Sequence, residues 1–108
     1  MNNCLILVDI QNDYFPGGSM ELVGIEGAAA NAQLLLQQFR KQKLPVIHVQ
    51  HLAARPDATF FLPETVGAQI HDSLTPQEGE SVVVKHFPNS FRHTTLQELL
   101  KQQQLYDL

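Results

Sequence analysis

Three short runs of apolar residues divide the chain, and polar residues follow each of them. The runs cover residues 4–8, 46–51 and 81–84, and they are rich in valine, isoleucine and leucine. Apolar runs of this length are typical of strands that are buried on both faces, as in a parallel sheet covered by helices. The pattern therefore predicts three strands of one parallel sheet.

The segment between the first two runs has a different period, with apolar residues at helical spacing over residues 26–42. This pattern predicts an amphipathic helix that packs on the sheet through one face. A strand, a helix and a strand in this order form a βαβ unit, whose crossover is almost always right-handed. A second, shorter helix is predicted where Leu96, Leu99 and Leu100 share one face. The fold class that follows is a doubly wound parallel α/β sheet.

The last four residues, 105–108, look like the beginning of a further strand. Three strands and two helices would leave one face of the sheet thinly covered. We therefore expect residues 1–108 to form a single, incomplete domain, cut off after the third strand and its helix.

Residues 52–79 contain three prolines and no sustained period, apart from a short helix expected within residues 63–72. Loops of this length in compact domains are often functional. This one leaves the sheet at the carboxyl end of the second strand, which is the edge where Asp9 ends the first strand.

Asp9 and Lys85 both stand at the carboxyl ends of predicted parallel strands. Ligands of open α/β sheets bind in the crevice outside these ends. A carboxylate beside an ammonium group stays ionised, so the pair would hold a proton acceptor next to a fixed positive charge. The alternatives are structural: Asp9 caps a turn, or the two residues form a simple ion pair.

The composition narrows the classes of partner. With 7 Lys and Arg against 11 Asp and Glu, the net charge of −4 argues against nucleic acid and anionic membranes. The single cysteine excludes an internal disulfide and leaves no cysteine pair for zinc. The first apolar run lacks a basic leader, and no run approaches the roughly 18 residues of a membrane span. We expect a cytoplasmic protein.

Several motifs together resemble one family. The sequence D-I-Q-N-D-Y-F at residues 9–15 is similar to the D-x-Q-x-D-[FY] opening of the isochorismatase-like cysteine hydrolases. Residues 81–86, followed by N-S-F at 89–91 and T-L at 95–96, resemble that family's lysine strand and its continuation, and residues 74–80 resemble the usual lead-in. The resemblance covers essentially all 108 residues in the right order.

The resemblance implies a three-layer, Rossmann-like α/β/α fold with a Cys-Asp-Lys triad and no cofactor. Asp9 would take the proton of a thiol as the general base, and Lys85 would stabilise the thiolate or the intermediate. The thiolate would attack a carbonyl carbon, and water would release the acyl group. Family substrates are small molecules: amides, ureido and carbamoyl compounds, and the vinyl ether isochorismate. Weaker candidates for lining the pocket, each with a packing role as its alternative, are Gln11, Phe15, His51 and Phe91.

The sequence departs from the family pattern at the nucleophile, which in the family follows a fourth strand. Cys4 lies five residues before Asp9. Along a strand this is roughly 16 Å, at about 3.3 Å per residue, and the odd offset points the two side chains to opposite faces. Cys4 is expected to be a small buried hydrophobic residue. The Asp-x-His pair that binds metal in the family's nicotinamidases is absent after His51. His51 and His71 could still lie close together in the fold, but we expect no metal.

Two other readings stay open. One is a catalytically inactive, truncated or split fragment, which would act through homo-oligomerisation or through a complementing C-terminal half. The other is an acid-dependent reaction centred on Asp9, because the family's vinyl-ether hydrolases dispense with the cysteine. A phosphatase is disfavoured because Gln11 stands where a second acid is needed.

Overall fold

The computed structural model describes residues 3–102, and its centre is one parallel sheet. The strands are β1 (Leu5–Val8), β2 (Val46–His51) and β3 (Ser81–Lys85), in the spatial order β1-β2-β3. Both pairs of neighbouring strands are parallel. The three predicted strands are thus confirmed, whereas the strand expected to begin at residues 105–108 lies outside the described residues.

Helix α1 (Ile25–Lys41) covers one face of the sheet. Each of its ends lies one residue from the end predicted from the sequence. Its Leu36 is fully buried and packs with Leu7 of β1 and Val46 of β2. Arg40 and Lys41 lie in its last turn, where cations interact favourably with the helix dipole. The helical period in the sequence was therefore sufficient to place this helix.

Helix α2 (Leu96–Gln102) covers the opposite face. Its Leu96 and Leu100 are buried against Ile47, Val49 and Val83. Alternate residues of β2 thus serve two different cores, since Val46 packs beneath α1 and Ile47 beneath α2. Helices on both faces of a parallel sheet confirm the predicted three-layer α/β class.

The short helix expected within residues 63–72 is present between β2 and β3 as a 3-10 helix of one turn. Two single 3-10 turns occupy the segment, at Val66–Ala68 and Asp72–Leu74. Leu74 is fully buried in the cluster beneath α1, and Ile70 forms an isolated antiparallel bridge with Gln11. The long loop is therefore attached to the sheet at several points.

A charged cluster joins α1 to the start of β3 at the end of the sheet opposite Asp9. The Arg40 Nε and Nη2 atoms donate to the two carboxylate oxygens of Glu80 at 2.6 and 2.8 Å. The Nε2 atom of the buried His48 lies 2.8 Å from Glu80 Oε1. The hydrogen bonds from Arg40 are the main reason that the pKa of Glu80 is lowered to about 2.

Replacing Glu80→Gln is expected to lower the free energy of unfolding by about 3 kcal/mol at pH 7, because Arg40 and His48 would lose their carboxylate. A depressed folded-state pKa stabilises the protein above the ordinary pKa of 4.5 and loses this effect as the pH falls toward 2. The difference between the two proteins should thus shrink between pH 5 and pH 2.5 in urea unfolding. The exposed Glu78→Gln on the same loop is the matched control, and an equal loss there would contradict the account.

Candidate active site

The structure brings Asp9 and Lys85, the two predicted catalytic residues, into direct contact at one edge of the sheet. The Lys85 Nζ atom lies 3.3 Å from Asp9 Oδ2, and the Lys85 side chain is only 3% exposed. Asp9 adopts a φ of 61°, a left-handed conformation that Asp tolerates better than most residues. Its backbone N–H donates to Val49 O and its carbonyl accepts from the N–H of Gln11, so the chain turns sharply as it leaves β1.

The two oxygens of the Asp9 carboxylate have different surroundings. Oδ2 faces the Lys85 ammonium, which also donates to the carbonyl of Pro88 at 3.1 Å. Oδ1 is buried and has no hydrogen-bond partner among residues 3–102. Because buried acceptors are nearly always satisfied, this oxygen is the natural binding point for a proton donor.

Gln11, predicted to line the pocket, is fully buried between the strand ends and the long loop. Its Nε2 atom donates to His51 O at 2.8 Å and to Ala68 O at 2.7 Å. Its Oε1 atom accepts from the His51 N–H at 2.8 Å. Both amide protons are thus committed to backbone carbonyls, and the geometry makes Gln11 a bridge that positions His51.

Asp13 performs a similar task one turn further along. Its Oδ2 atom accepts from the Phe61 N–H at 2.7 Å, and Oδ1 accepts from the Ser19 N–H at 3.2 Å. The loop backbone at Gly67 approaches so closely that any side chain there would collide with the Asp13 carboxylate. No role of its own was predicted for Asp13 from the sequence. An acid close to a glycine-rich turn often binds backbone amides, and this is the signal that could have identified it.

Two aromatic side chains stand near the Asp9–Lys85 pair. His51 is half-buried, and burial followed by the charge of Lys85 lowers its pKa, so the imidazole is neutral near pH 7. Tyr14 packs edge-on against Phe61, with ring centroids 4.7 Å apart. Burial and the negative charge of Asp9 raise the pKa of the Tyr14 phenol, which places it near that carboxylate. Tyr14 was not among the pocket residues predicted from the sequence, whereas its neighbour Phe15 was.

The other predicted pocket residues lie in different surroundings. Phe15 is buried and stacks on His71, with centroids 3.8 Å apart, where it lines a shallow depression beside α1. Phe91 is 45% exposed on the loop that precedes α2. Neither residue is among those that line the cavity at the carboxyl ends of β2 and β3.

Cys4 precedes β1 and lies at the opposite end of this strand from Asp9. It is half-buried against the cluster beneath α2, and burial raises the pKa of its thiol. A raised pKa disfavours the thiolate, so the environment of Cys4 is that of a packing residue.

Neither a metal cluster nor a membrane-spanning helix is present among the described residues. Within residues 3–102, no three His, Cys, Asp or Glu side chains converge as metal ligands would. In the same part of the chain, no helix has both the length and the apolar character needed to cross a membrane.

Comparison with known proteins identifies the family. The sequence profile of the isochorismatase domain matches residues 3–108. The chain belongs to the isochorismatase family. It is 48% identical over 108 residues to the uncharacterized isochorismatase family protein YddQ of Bacillus subtilis, and it spans 60% of the length of that relative.

Solved structures show the same fold. An isochorismatase from Pseudomonas putida superposes with a TM-score of 0.83 at 38% identity, with 93% of this chain covering 50% of that one. An N-carbamoylsarcosine amidase from Thermoplasma acidophilum gives a TM-score of 0.89 at 23% identity, with 97% covering 64%. The isochorismatase-like α/β fold is therefore shown, and the chain spans about half to two thirds of the length of these two proteins.

Gln11→Leu is expected to lower the free energy of unfolding by about 3 kcal/mol, because the His51 N–H and carbonyl would lose their bonds to Gln11 and the Ala68 carbonyl would keep only its bond from Gln50. Hydrogen exchange should also become faster at the His51 amide, which donates to Gln11 in the present structure. Gln37→Leu on the exposed face of α1 is the control for the loss of an amide. Unchanged stability and exchange would show that Gln11 does not join the strand ends.

Proposed function

We propose that the protein is a hydrolase of small amides or of ureido and carbamoyl compounds, with Asp9 as the general base. The observation that carries the proposal is the Asp9–Lys85 contact at 3.3 Å, with the second oxygen of Asp9 buried and without a hydrogen-bond partner among residues 3–102. Family membership supports the same chemistry. The amidase among the fold relatives adds only that this scaffold accommodates such a reaction.

Lys85 has two tasks in this mechanism. Its ammonium faces Asp9 Oδ2 at 3.3 Å, so Oδ1 is the oxygen that is left to accept a proton. Within residues 3–102 the ammonium donates a hydrogen bond to the Pro88 carbonyl and forms an ion pair with Asp9, so at least one N–H is left to donate to an oxyanion. A buried ammonium that is already oriented stabilises developing negative charge strongly, because it need not reorganise during the reaction.

The reaction follows from these positions. Asp9 Oδ1 accepts the proton of a thiol, and the thiolate attacks the carbonyl carbon to give a tetrahedral oxyanion. The bond from carbon to nitrogen then breaks, and Asp9 returns the proton to the leaving nitrogen. Water, deprotonated by Asp9, cleaves the thioester and restores the thiol. Cys4 lies at the far end of β1 from Asp9, so the proposal assigns the thiol to a segment or chain other than residues 1–108.

Hydrolysis of a vinyl ether is a second candidate function. It is favoured because Cys4 and Asp9 lie at opposite ends of β1, so that Cys4 cannot supply a thiol to Asp9. In that reaction Asp9 would serve as an acid and no thiol would be needed. The named isochorismatase among the solved relatives supports it. Turnover of isochorismate without release of ammonia from any amide would select this candidate.

In the full-length gene product, Asp9→Asn and Lys85→Ala are each expected to lower the rate of ammonia release from a small-amide panel at least 100-fold. This is the size of effect that general-base and electrostatic groups typically have. Lys41→Ala, an exposed lysine of α1, is the charge control, and Cys4→Ser should leave the rate unchanged. Equal rates in the Asp9 or Lys85 variants, or no turnover of amide, ureido or carbamoyl compounds, would contradict the proposal.

A further inference from the structure

A cavity of about 490 Å³ lies at the carboxyl ends of β2 and β3. Its walls come from the loops that follow β2 and β3, and they include His51, Phe60, His86, Phe87 and Pro88. Pro88 links the cavity to the pair, because its carbonyl accepts from the Lys85 ammonium. The volume is that of an ordinary small-molecule site.

Neighbouring side chains pack against the two phenylalanine rings that line the cavity. The Arg92 guanidinium stacks over the Phe87 ring, 3.8 Å from its centroid. Phe60 packs edge-on against Phe61, with centroids 5.0 Å apart. Three alanines and a proline also line the cavity, so together with the two rings it offers apolar surfaces to a ligand.

The histidines supply the cavity's hydrogen-bonding groups. The Nδ1 atom of His86 lies 2.8 Å from the carbonyl of Leu52, and since a carbonyl only accepts, Nδ1 carries a proton. In the neutral imidazole this leaves Nε2 as an acceptor on the ring edge that turns away from Leu52. The ring nitrogens of His51 make no hydrogen bond within residues 3–102 and are thus free for a ligand.

The charged residues of the cavity balance each other. Arg55 and Asp57 stand at its rim, their side chains are each 81% exposed, and the Arg55 Nε and Asp57 Oδ1 atoms are 3.7 Å apart. A pair of this kind attracts neither anions nor cations strongly, because solvent screens both charges. The cavity therefore favours an uncharged ligand.

We propose that this cavity binds the non-reacting part of the substrate: a neutral, largely apolar planar group with a hydrogen-bond donor that His86 Nε2 accepts. This inference rests on the proposed function, which places the reacting carbonyl at Asp9 and Lys85. His86, Phe60 and Phe87 then determine specificity, and none of them takes part in the bond-breaking steps.

Pairs of ring-substituted benzamides test this proposal directly. The reacting amide is constant in 3- and 4-hydroxybenzamide and in their methoxy analogues, while the donor is present only in the hydroxy compounds. The dissociation constants and the ring resonances of His51 and His86 are measured by NMR titration of the full-length protein. At least one hydroxy compound should bind about 5-fold more tightly than its methoxy analogue, as expected for one hydrogen bond, and should shift both histidine resonances.

Two variants separate His86 from histidines elsewhere. His86→Phe should remove the preference for the hydroxy compounds while retaining the binding of the ring. His71→Asn should keep the preference, because His71 does not line the cavity and Asn can replace it as the N-cap that accepts from the Ser73 N–H.

The outcomes also distinguish this proposal from the proposed function. Binding with the hydroxy preference but without hydrolysis would retain the cavity assignment and overturn the hydrolase. Hydrolysis without shifts at His51 and His86 would retain the hydrolase and overturn the cavity assignment. Tighter binding of benzoate than of the neutral amides would also overturn the cavity assignment, because the cavity would then select anions.

Discussion

The contact between the buried Lys85 ammonium and Asp9 is the interaction on which the site depends. An ammonium that is 3% exposed loses most of its hydration, and this loss is tolerated only if a negative charge and further acceptors replace the water. Asp9 Oδ2 supplies the charge and the Pro88 carbonyl supplies another acceptor. Satisfying Lys85 in this way fixes one oxygen of Asp9 and leaves the other as a buried proton acceptor.

The polar motif that follows β1 holds the surroundings of this pair in place. Gln11 joins the turn after Asp9 to the end of β2, and Asp13 binds the loop backbone at Phe61. A loop of nearly 30 residues loses much conformational entropy when it becomes ordered. The buried side chains offset that cost through hydrogen bonds, which explains how an irregular segment forms a wall of the cavity. In the proposed mechanism, Asp9 therefore carries out the chemistry, whereas Gln11 and Asp13 position the loop.

The fold was largely predictable because its signals are local. The buried runs and the helical period specify β1, β2, β3 and α1 within a residue or so, and the rule for parallel strand ends placed Asp9 near Lys85. Interactions between distant segments were not predictable. Glu80 meets His48 across 32 positions of the chain, and Gln11 meets Ala68 across 57. Both depend on how the long loop packs, and apolar periodicity carries no information about that packing. Tyr14 was missed for the same reason, since its place near Asp9 follows from contacts with Phe61 of the same loop.

A double-mutant cycle on Asp9 and Lys85 tests the central claim most directly. If the two residues act as one unit, Asp9→Asn combined with Lys85→Ala lowers the rate of hydrolysis little more than the more damaging single change, since each variant already removes the function of the pair. If the two losses multiply, the residues act independently. The contact in the structure would then be an ion pair that closes the strand ends without forming a catalytic unit.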